Sequence, residues 1–279
     1  MSNKILFPTE FGELGAKARL TAALMAQKLN AELVIMHAIH PPKGINRFFS
    51  SYDETAVRDQ VERQLYAYAE QMRADGAATV STLIGEGAPE HAIVDSARDI
   101  EATMIIFGTI GGEGLRGSLL GSAVNYVIRH AHCPVLTVRN PPGYLGFRRI
   151  MVQLETLRET PEQVVWSVQV AKLFDAELHF LGLMTGDNEH NVQLDNRVRN
   201  ALKYAREHGI ERSDMHLEPL DHATEYEIEE YADHIRADLI CVLTQSDDEK
   251  GVRSLLRGSV ADRVVNLSQH PVLSVTPHY

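Results

Sequence analysis

Cysteine and long apolar runs are both scarce in this sequence. Only 2 of its 279 residues are cysteine, so the chain does not encode a disulfide framework. No apolar run approaches the roughly 20 residues that a membrane-spanning helix requires. The opening stretch, MSNKILFPTEFGE, reaches a proline and two glutamates before a signal-peptide core could form. These absences predict a soluble protein of the cytoplasm without a membrane span.

Basic residues are outnumbered by acidic ones. The chain has 27 Lys and Arg against 38 Asp and Glu, a formal net charge of −11, which argues against nucleic acid or an anionic membrane as a general partner. The excess is uneven, because residues 1–145 carry 13 basic and 15 acidic side chains and the remainder carries 14 and 23. A phosphate-bearing ligand is therefore repelled less by the first half.

Several catalytic signatures are missing as well. The sequence contains no G-x-S-x-G, no H-E-x-x-H and no G-x-x-x-x-G-K-[ST], which excludes the nucleophile elbow, the zinc-protease motif and the Walker P-loop. His130, His132 and Cys133 straddle a predicted helix end and strand start, so we expect no metal site there. Cys241, inside LICVL, is expected to be a small buried apolar residue.

What the sequence does contain is an internal duplication. KLNAELVIMHAI at 28–39 resembles KLFDAELHFLGLM at 172–184, and PVLTV at 134–138 resembles PVLSV at 271–275. LLGSAVNYVI at 119–128 likewise matches LRGSVADRVV at 256–265. A period this long indicates two copies of one domain rather than a solenoid. The sequence predicts domains at 1–141 and 146–279, joined near Pro141, Pro142 and Gly143.

Each copy alternates β-rich runs with helical patterns. In the first copy the predicted strands are KILFP, ELVIMHA, TVSTLIG, TMIIFG and PVLTV, and the predicted helices cover about 13–29, 53–74, 89–100 and 118–131. This order predicts an α/β fold in which a five-stranded parallel sheet has helices on both faces. Ligands of such sheets bind outside the carboxyl ends of the strands, where the strand order reverses.

A glycine-rich segment, GTIGGEGLRGSLLGS at 108–122, follows the fourth predicted strand. Gly112, Gly114 and Gly117 fit G-x-G-x-x-G, but that dinucleotide fingerprint belongs at the first strand–helix turn. A loose hinge before a helix is a second interpretation. In a third, the segment binds phosphate, because glycines permit close approach and the following helix begins with unpaired N–H groups.

The spacing G-x2-G-x9-G-[ST], formed by Gly108, Gly111, Gly121 and Ser122, resembles the nucleotide-binding signature of the universal stress protein family. ILFPTE, GEGAP and HCPVLTV also fit that family, and the resemblance covers the whole chain as two tandem copies. It implies a flavodoxin-like fold that binds ATP, with Mg²⁺ accompanying the triphosphate.

The resemblance also implies a set of binding residues in the first copy. They are Pro8, Thr9, Glu10, Ala38, Phe107, Gly108, Thr109, Gly111, Gly121, Ser122 and Ala123. The sequence departs from the family where Glu10 replaces a usual aspartate, Ile110 a frequent histidine and Gly112 a common basic residue. Arg116 is the remaining cation of the segment.

In the second copy the corresponding segment is LTQSDDEKGVRSLLRGS at 243–259. Gly108 falls opposite Leu243 or Gln245, depending on the placement of a gap, and Pro8-Thr9 become Gln153-Leu154. Three consecutive acidic residues, 247–249, would repel phosphates. The sequence therefore predicts a degenerate second site.

These observations predict an ATP-binding sensor or regulator of the stress response, with occupancy of the first domain controlling conformation or an unknown protein partner. An internal pseudo-dimer of the two domains is expected, and a homodimer is possible in addition. Two alternatives stay open. One is a slow ATPase, or a transferase whose second domain binds the acceptor, and the other is an adaptor that binds no nucleotide.

Overall fold

Strands and helices alternate along the chain in a computed structural model, which describes residues 3–40, 53–109, 122–140, 146–155, 161–220, 224–244 and 260–277. Most of the glycine-rich segment and its counterpart at 245–259 lie outside the described residues. The described chain divides into two compact units, one ending at Val138 and the other starting at Arg139.

The first unit is a parallel five-stranded sheet in the order β3-β2-β1-β4-β5. Its strands are β1 (Lys4–Pro8), β2 (Glu32–Ile39), β3 (Thr79–Glu86), β4 (Met104–Gly108) and β5 (Val135–Val138), and its helices are α1 (Glu13–Leu29), α2 (Glu54–Ala74), α3 (Pro89–Asp99) and α4 (Ser122–His130). The predicted fold class is confirmed, and these bounds agree closely with the elements expected from the sequence.

The second unit repeats this plan, with strand order β10-β9-β6-β7-β8 and parallel pairing. Its strands are β6 (Arg149–Leu154), β7 (Glu177–Met184), β8 (Ser213–Pro219), β9 (Leu239–Leu243) and β10 (Val272–Val275), and its helices are α5 (Glu162–Phe174), α6 (Asn188–Glu207), α7 (Thr224–Ile235) and α8 (Val260–Leu267). Each unit is thus one copy of the sequence repeat.

Burial explains why the central strands are almost wholly apolar. Ile5, Leu6 and Phe7 of β1 and Met104 and Ile105 of β4 are all fully buried, as expected for parallel strands that are covered by helices on both faces. Right-handed crossovers that leave the sheet centre in opposite directions place the helices on opposite faces.

Local sequence signals set the helix ends. The Asp53 side chain accepts a hydrogen bond from the Ala56 N–H and caps α2, and Pro89 opens α3, where its missing N–H costs nothing. Asn30 ends α1 in the left-handed conformation. Within the described ranges, no helix combines the length and apolarity needed to cross a membrane.

Candidate functional site

The strand order of the first unit reverses between β1 and β4. The chain goes from β1 outward to β2 and β3, whereas β4 leads to β5 on the other side. Loops that follow β1 and β4 therefore part at this point and leave a crevice outside the carboxyl ends of the strands, which is where open α/β sheets bind ligands.

Thr9 forms the β1 side of this crevice. Its backbone N–H donates to the Met36 carbonyl at 2.8 Å, which ties the end of β1 to β2. The Thr9 residue is 7% exposed, whereas Pro8 before it is half-buried and Glu10 after it is exposed. The three residues thus run from the sheet interior to the surface.

Gly108 and Thr109 form the β4 side. Leu6 pairs with Ile105 in the β1–β4 register, so Thr9 and Gly108 each lie three residues further toward the same edge. Phe107 and Thr109 are buried, and the Thr109 N–H donates to the Val138 carbonyl at 3.0 Å. Half-buried Gly108 stands between them without a side chain at the edge.

Ala38 lies at the neighbouring end of β2, where it is half-buried and pairs with Gly85 of β3. A Cβ on Gly85 would stand 2.2 Å from the Met36 Cε and 3.1 Å from the Ala92 Cβ. A larger residue here would displace the end of the Met36 side chain and press on Ala92, so glycine favours close packing of α3 on β2 and β3. The GEGAP motif has a packing role here.

Helix α4 begins at Ser122, with half-buried Ala123 in its first turn. The first N–H groups of a helix have no partner within the helix, and they attract anions. Gly111 and Gly121 lie outside the described residues. The geometry thus brings together the predicted residues of β1, β2 and β4.

Sequence reasoning missed Phe11 and His37, which lie against this edge. The Thr9 carbonyl and His37 Nδ1 are 2.7 Å apart, and the rings of Phe11 and His37 stack with centroids 4.8 Å apart. The backbone of Phe11 has φ 61°, in the left-handed region. A single sequence carries no signal for this contact, because His37 looks like one more residue of an apolar strand.

Tyr68 of α2 and Gly15 of α1 lie next to the same turn, close to the Thr9 side chain. A Cβ on Gly15 would stand 2.8 Å from both the Thr9 and Tyr68 hydroxyl oxygens, so a larger residue here would force these side chains to move. Burial raises the pKa of Tyr68, and the Thr9 hydroxyl and Arg19 partly oppose the rise. Tyr68 therefore stays neutral and packs as an aromatic residue.

The second unit has a different edge on the same framework. Ile150 pairs with Leu239 as Ile5 pairs with Met104, which sets Leu154 opposite Thr9 and Leu243 opposite Gly108. The Thr244 N–H donates to the Val275 carbonyl at 2.8 Å, the same bond that Thr109 makes. Of the two alignments left open by the sequence, the structure selects Leu243.

Gln163 of α5 closes the point where β6 and β9 diverge. Its side-chain amide donates to the carbonyls of Gln153 at 2.7 Å and Cys241 at 3.1 Å, and the residue is fully buried. These carbonyls belong to the two strands that separate at this crevice. The corresponding residue of the first unit is Ala18, which has no amide to donate.

No group of three His, Cys, Asp or Glu side chains that could hold a metal ion occurs among the residues for which the structure is described. His130 Nδ1 lies 2.8 Å from the Tyr126 carbonyl, one turn back along α4. Cys133 is buried, and burial raises its pKa to about 12. The surroundings of His130 and Cys133 are those of residues with a structural role.

Comparisons with known proteins agree with the duplication. The model of the Universal stress protein family matches residues 1–139 and again residues 146–276. A universal stress protein of Thermus aquaticus is 31% identical over 140 residues, which are 50% of this chain and 100% of that protein. One from Methanocaldococcus jannaschii is 28% identical over 145 residues, 50% of this chain and 82% of that protein.

A solved structure covers both copies at once. A universal stress protein from Archaeoglobus fulgidus aligns over 99% of each chain with a TM-score of 0.79 and 18% sequence identity. At this identity the likeness is one of fold.

Proposed function

Because the chain belongs to the universal stress protein family, we propose that its first domain, residues 1–141, binds ATP with Mg²⁺. The observation that carries the proposal is the meeting of Thr9, Ala38 and Gly108 at the point where the strand order reverses. Small residues line this edge, and it adjoins the start of α4, so a flat ligand with an anionic tail fits its chemistry.

The family resemblance implies a role for each of the binding residues. Pro8, Thr9, Glu10 and Ala38 would contact the adenosine, and Phe107, Gly108 and Thr109 would line the crevice floor. Gly111, Gly121, Ser122 and Ala123 would receive the phosphates through backbone N–H groups and the positive end of the α4 dipole. Mg²⁺ would neutralise part of the triphosphate charge, with its remaining ligands supplied by water.

We further propose that nucleotide occupancy acts as a signal in the stress response. A ligand that binds one conformation better than another shifts the population toward it, and a protein partner could recognise the shifted state. Pairing of the two domains as a pseudo-dimer, assembly of two chains and residence in the cytoplasm belong to the same proposal.

Titration calorimetry of the full chain with Mg-ATP tests the binding proposal. If only the first domain binds, the stoichiometry should be about 1 nucleotide per chain. A value near two would contradict the assignment of the second domain, and no heat at any concentration would overturn nucleotide binding. Mass spectrometry of ligand released from freshly purified, denatured protein provides an independent identification.

A parallel phosphate-release assay separates a sensor from an enzyme. We expect ATP to remain intact while it is bound. Turnover at about 1 per second or faster would place the protein in the ordinary enzyme range and favour the ATPase or transferase alternative.

A further inference from the structure

Each backbone and side-chain oxygen of Thr9 has a fixed partner. The Phe11 N–H donates to the Thr9 hydroxyl oxygen at 3.0 Å, and the Thr9 carbonyl contacts His37 Nδ1 at 2.7 Å. The Thr9 N–H is already bonded to the Met36 carbonyl. The turn after β1 is thus anchored at its amide, carbonyl and hydroxyl.

The contact with His37 also fixes the tautomer of the imidazole. A carbonyl oxygen can only accept, so Nδ1 carries the proton and donates it to Thr9. His37 is half-buried, which keeps the imidazole near the crevice rather than deep in the core.

Phe11 holds that imidazole in place at a cost to its own backbone. Its φ of 61° lies in a region that bulky residues rarely adopt. The other non-glycine residues with positive φ in the described chain each follow the end of a helix, namely Asn30, Glu101, Asp175 and Arg236. Phe11 instead follows a strand, directly after Glu10. A strained residue at such a place indicates a functional constraint.

We propose that His37, clamped by Phe11, is a positioning residue for nucleotide binding, which holds Thr9 and Glu10 in the conformation that receives the ligand. The inference rests on the proposed function of the first domain. Preorganisation of this kind strengthens binding because the turn loses no freedom when the ligand arrives. Neither side chain needs to touch the ligand for this effect.

The two substitutions His37→Leu and His37→Asn separate positioning from packing. Leucine keeps the bulk but removes the donor, whereas the asparagine amide can donate from nearly the position of Nδ1. Mg-ATP titration of the full chain should show affinity at least about tenfold weaker for His37→Leu, and His37→Asn should recover most of that loss. Urea unfolding of the unliganded variants reports whether the fold is kept.

A second pair of variants tests the clamp. Phe11→Gly fits the positive φ without strain but removes the stacked ring, and Phe11→Tyr keeps the ring. We expect weaker ATP binding for the glycine variant and near-normal binding for the tyrosine variant. Nitrogen NMR of wild-type protein should find His37 as the Nδ1–H tautomer.

These measurements separate failure of ATP binding from failure of the positioning role of His37. If wild-type protein does not bind Mg-ATP, the proposed function fails and the inference fails with it. If wild-type binds and His37→Leu binds equally well, only the inference is overturned. Equal loss in His37→Leu and His37→Asn, with both less stable to urea, would assign His37 to packing and likewise overturn it.

Discussion

The two units present different side chains at corresponding edges of the same sheet. In the first, Thr9 and Gly108 stand on either side of the strand divergence, and in the second Leu154 and Leu243 take those positions. Below the edge, Gln163 donates to both diverging strands of the second unit, where the first unit has Ala18. The strand and helix plan is common to both units, but the side chains at the edge of the candidate site differ.

In the second unit, leucines occupy the positions that correspond to Thr9 and Gly108 of the candidate site. Two leucines place apolar bulk where the first unit has a small residue and a hydroxyl, and a buried amide satisfies the carbonyls of the separating strands. Buried carbonyls are normally paired in this way, whereas the Gln163 Oε1 atom has no hydrogen-bond partner among the described residues. The second domain therefore shares the scaffold but has different residues at the positions of the candidate site.

A second contrast lies on the strands farther from the crevice. Val34 and Leu83 of the first unit correspond in register to His179 and His216 of the second. His179 is largely buried, and both of its ring nitrogens lack hydrogen-bond partners among the described residues. Nε2 lies 3.7 Å from the Glu177 carboxylate, and His216 lies beside Asp214 at 3.4 Å.

The largest expected effect comes from giving the first crevice the residue of the second. Gly108→Leu adds a side chain at the edge, and we expect Mg-ATP affinity to fall by at least about 100-fold, or about 2.7 kcal/mol. The matched control is Leu243→Gly, which should leave affinity and stoichiometry unchanged. Calorimetry measures both, and full affinity in a folded Gly108→Leu protein would show that the crevice is misassigned.

Removal of the Gln163 amide, which bonds to both diverging strands, should destabilise the second unit. Gln163→Ala installs the residue found at Ala18 and leaves two buried carbonyls without the amide donor, so we expect a loss of about 2 kcal/mol in the free energy of unfolding. Urea unfolding measures the loss. Ser167→Ala is the control, because the Ser167 hydroxyl donates to the Gln163 carbonyl within the same helix, and it should cost less than about 1 kcal/mol.

If Gln163→Ala loses no more stability than Ser167→Ala, the hydrogen bonds of the Gln163 amide add little to the free energy of unfolding. The substitution should not create a second ATP site, since both leucines remain. Stoichiometry near two in this variant would instead identify the glutamine as the sole obstacle.

The next largest effect is expected in the pH dependence of the free energy of unfolding, which should differ between the two units. Burial lowers the pKa of His179, and Glu177 opposes this only in part. Since the folded-state pKa lies below the unfolded value of about 6.5, the unfolded chain binds the proton more readily. The contribution of neutral His179 to the free energy of unfolding is therefore fully present above about pH 6.5. It is lost as the pH falls, by at most about 1.4 kcal/mol per pH unit.

Replacing His179 with the valine of the first unit should remove this loss. Urea unfolding of His179→Val between pH 7.5 and 5 should be less pH-dependent than that of wild-type protein. His208→Gln, at an exposed position, is the control and should behave as wild type. An unchanged profile for His179→Val would assign the acid sensitivity to other groups.

The smallest effect is expected for the two thiols, one in each unit. Burial raises the pKa of both Cys133 and Cys241 to about 12, so neither should react with a thiol reagent at about pH 8 while the protein is folded. Both should react in denaturant. Reaction of one thiol in native protein would identify the unit that opens first.

Much of the fold could be predicted from the sequence because its signals are local or repeated. Apolar runs of strand length, the cap at Asp53 and the proline at Pro89 set most element bounds, and the repeated KL–AEL and PVL motifs indicated two copies. The meeting of Thr9, Ala38 and Gly108 at one edge followed from parallel strand order alone. The binding roles of these residues stay a prediction.

The details of the edge could not be predicted in the same way. The choice of Leu243 opposite Gly108 required the strand register, because the segment that follows Thr244 in the second copy is two residues longer than its counterpart. The sequence around Phe11 does not predict a positive φ, since its neighbours are ordinary turn residues. Gln163 looked like a helix-surface glutamine until its distance to two carbonyls was known.

By itself, the sequence determined the fold class, the duplication and the uneven charge, since hydrophobic periodicity and composition act through neighbours along the chain. Tertiary structure decided which side chains meet at the carboxyl edge of each sheet. The bonds of His37 to Thr9, and of Gln163 to Gln153 and Cys241, join residues 10 to 78 positions apart. Such bonds form only where folding brings a donor to a carbonyl that a diverging strand has left open, and residue type alone does not specify that position.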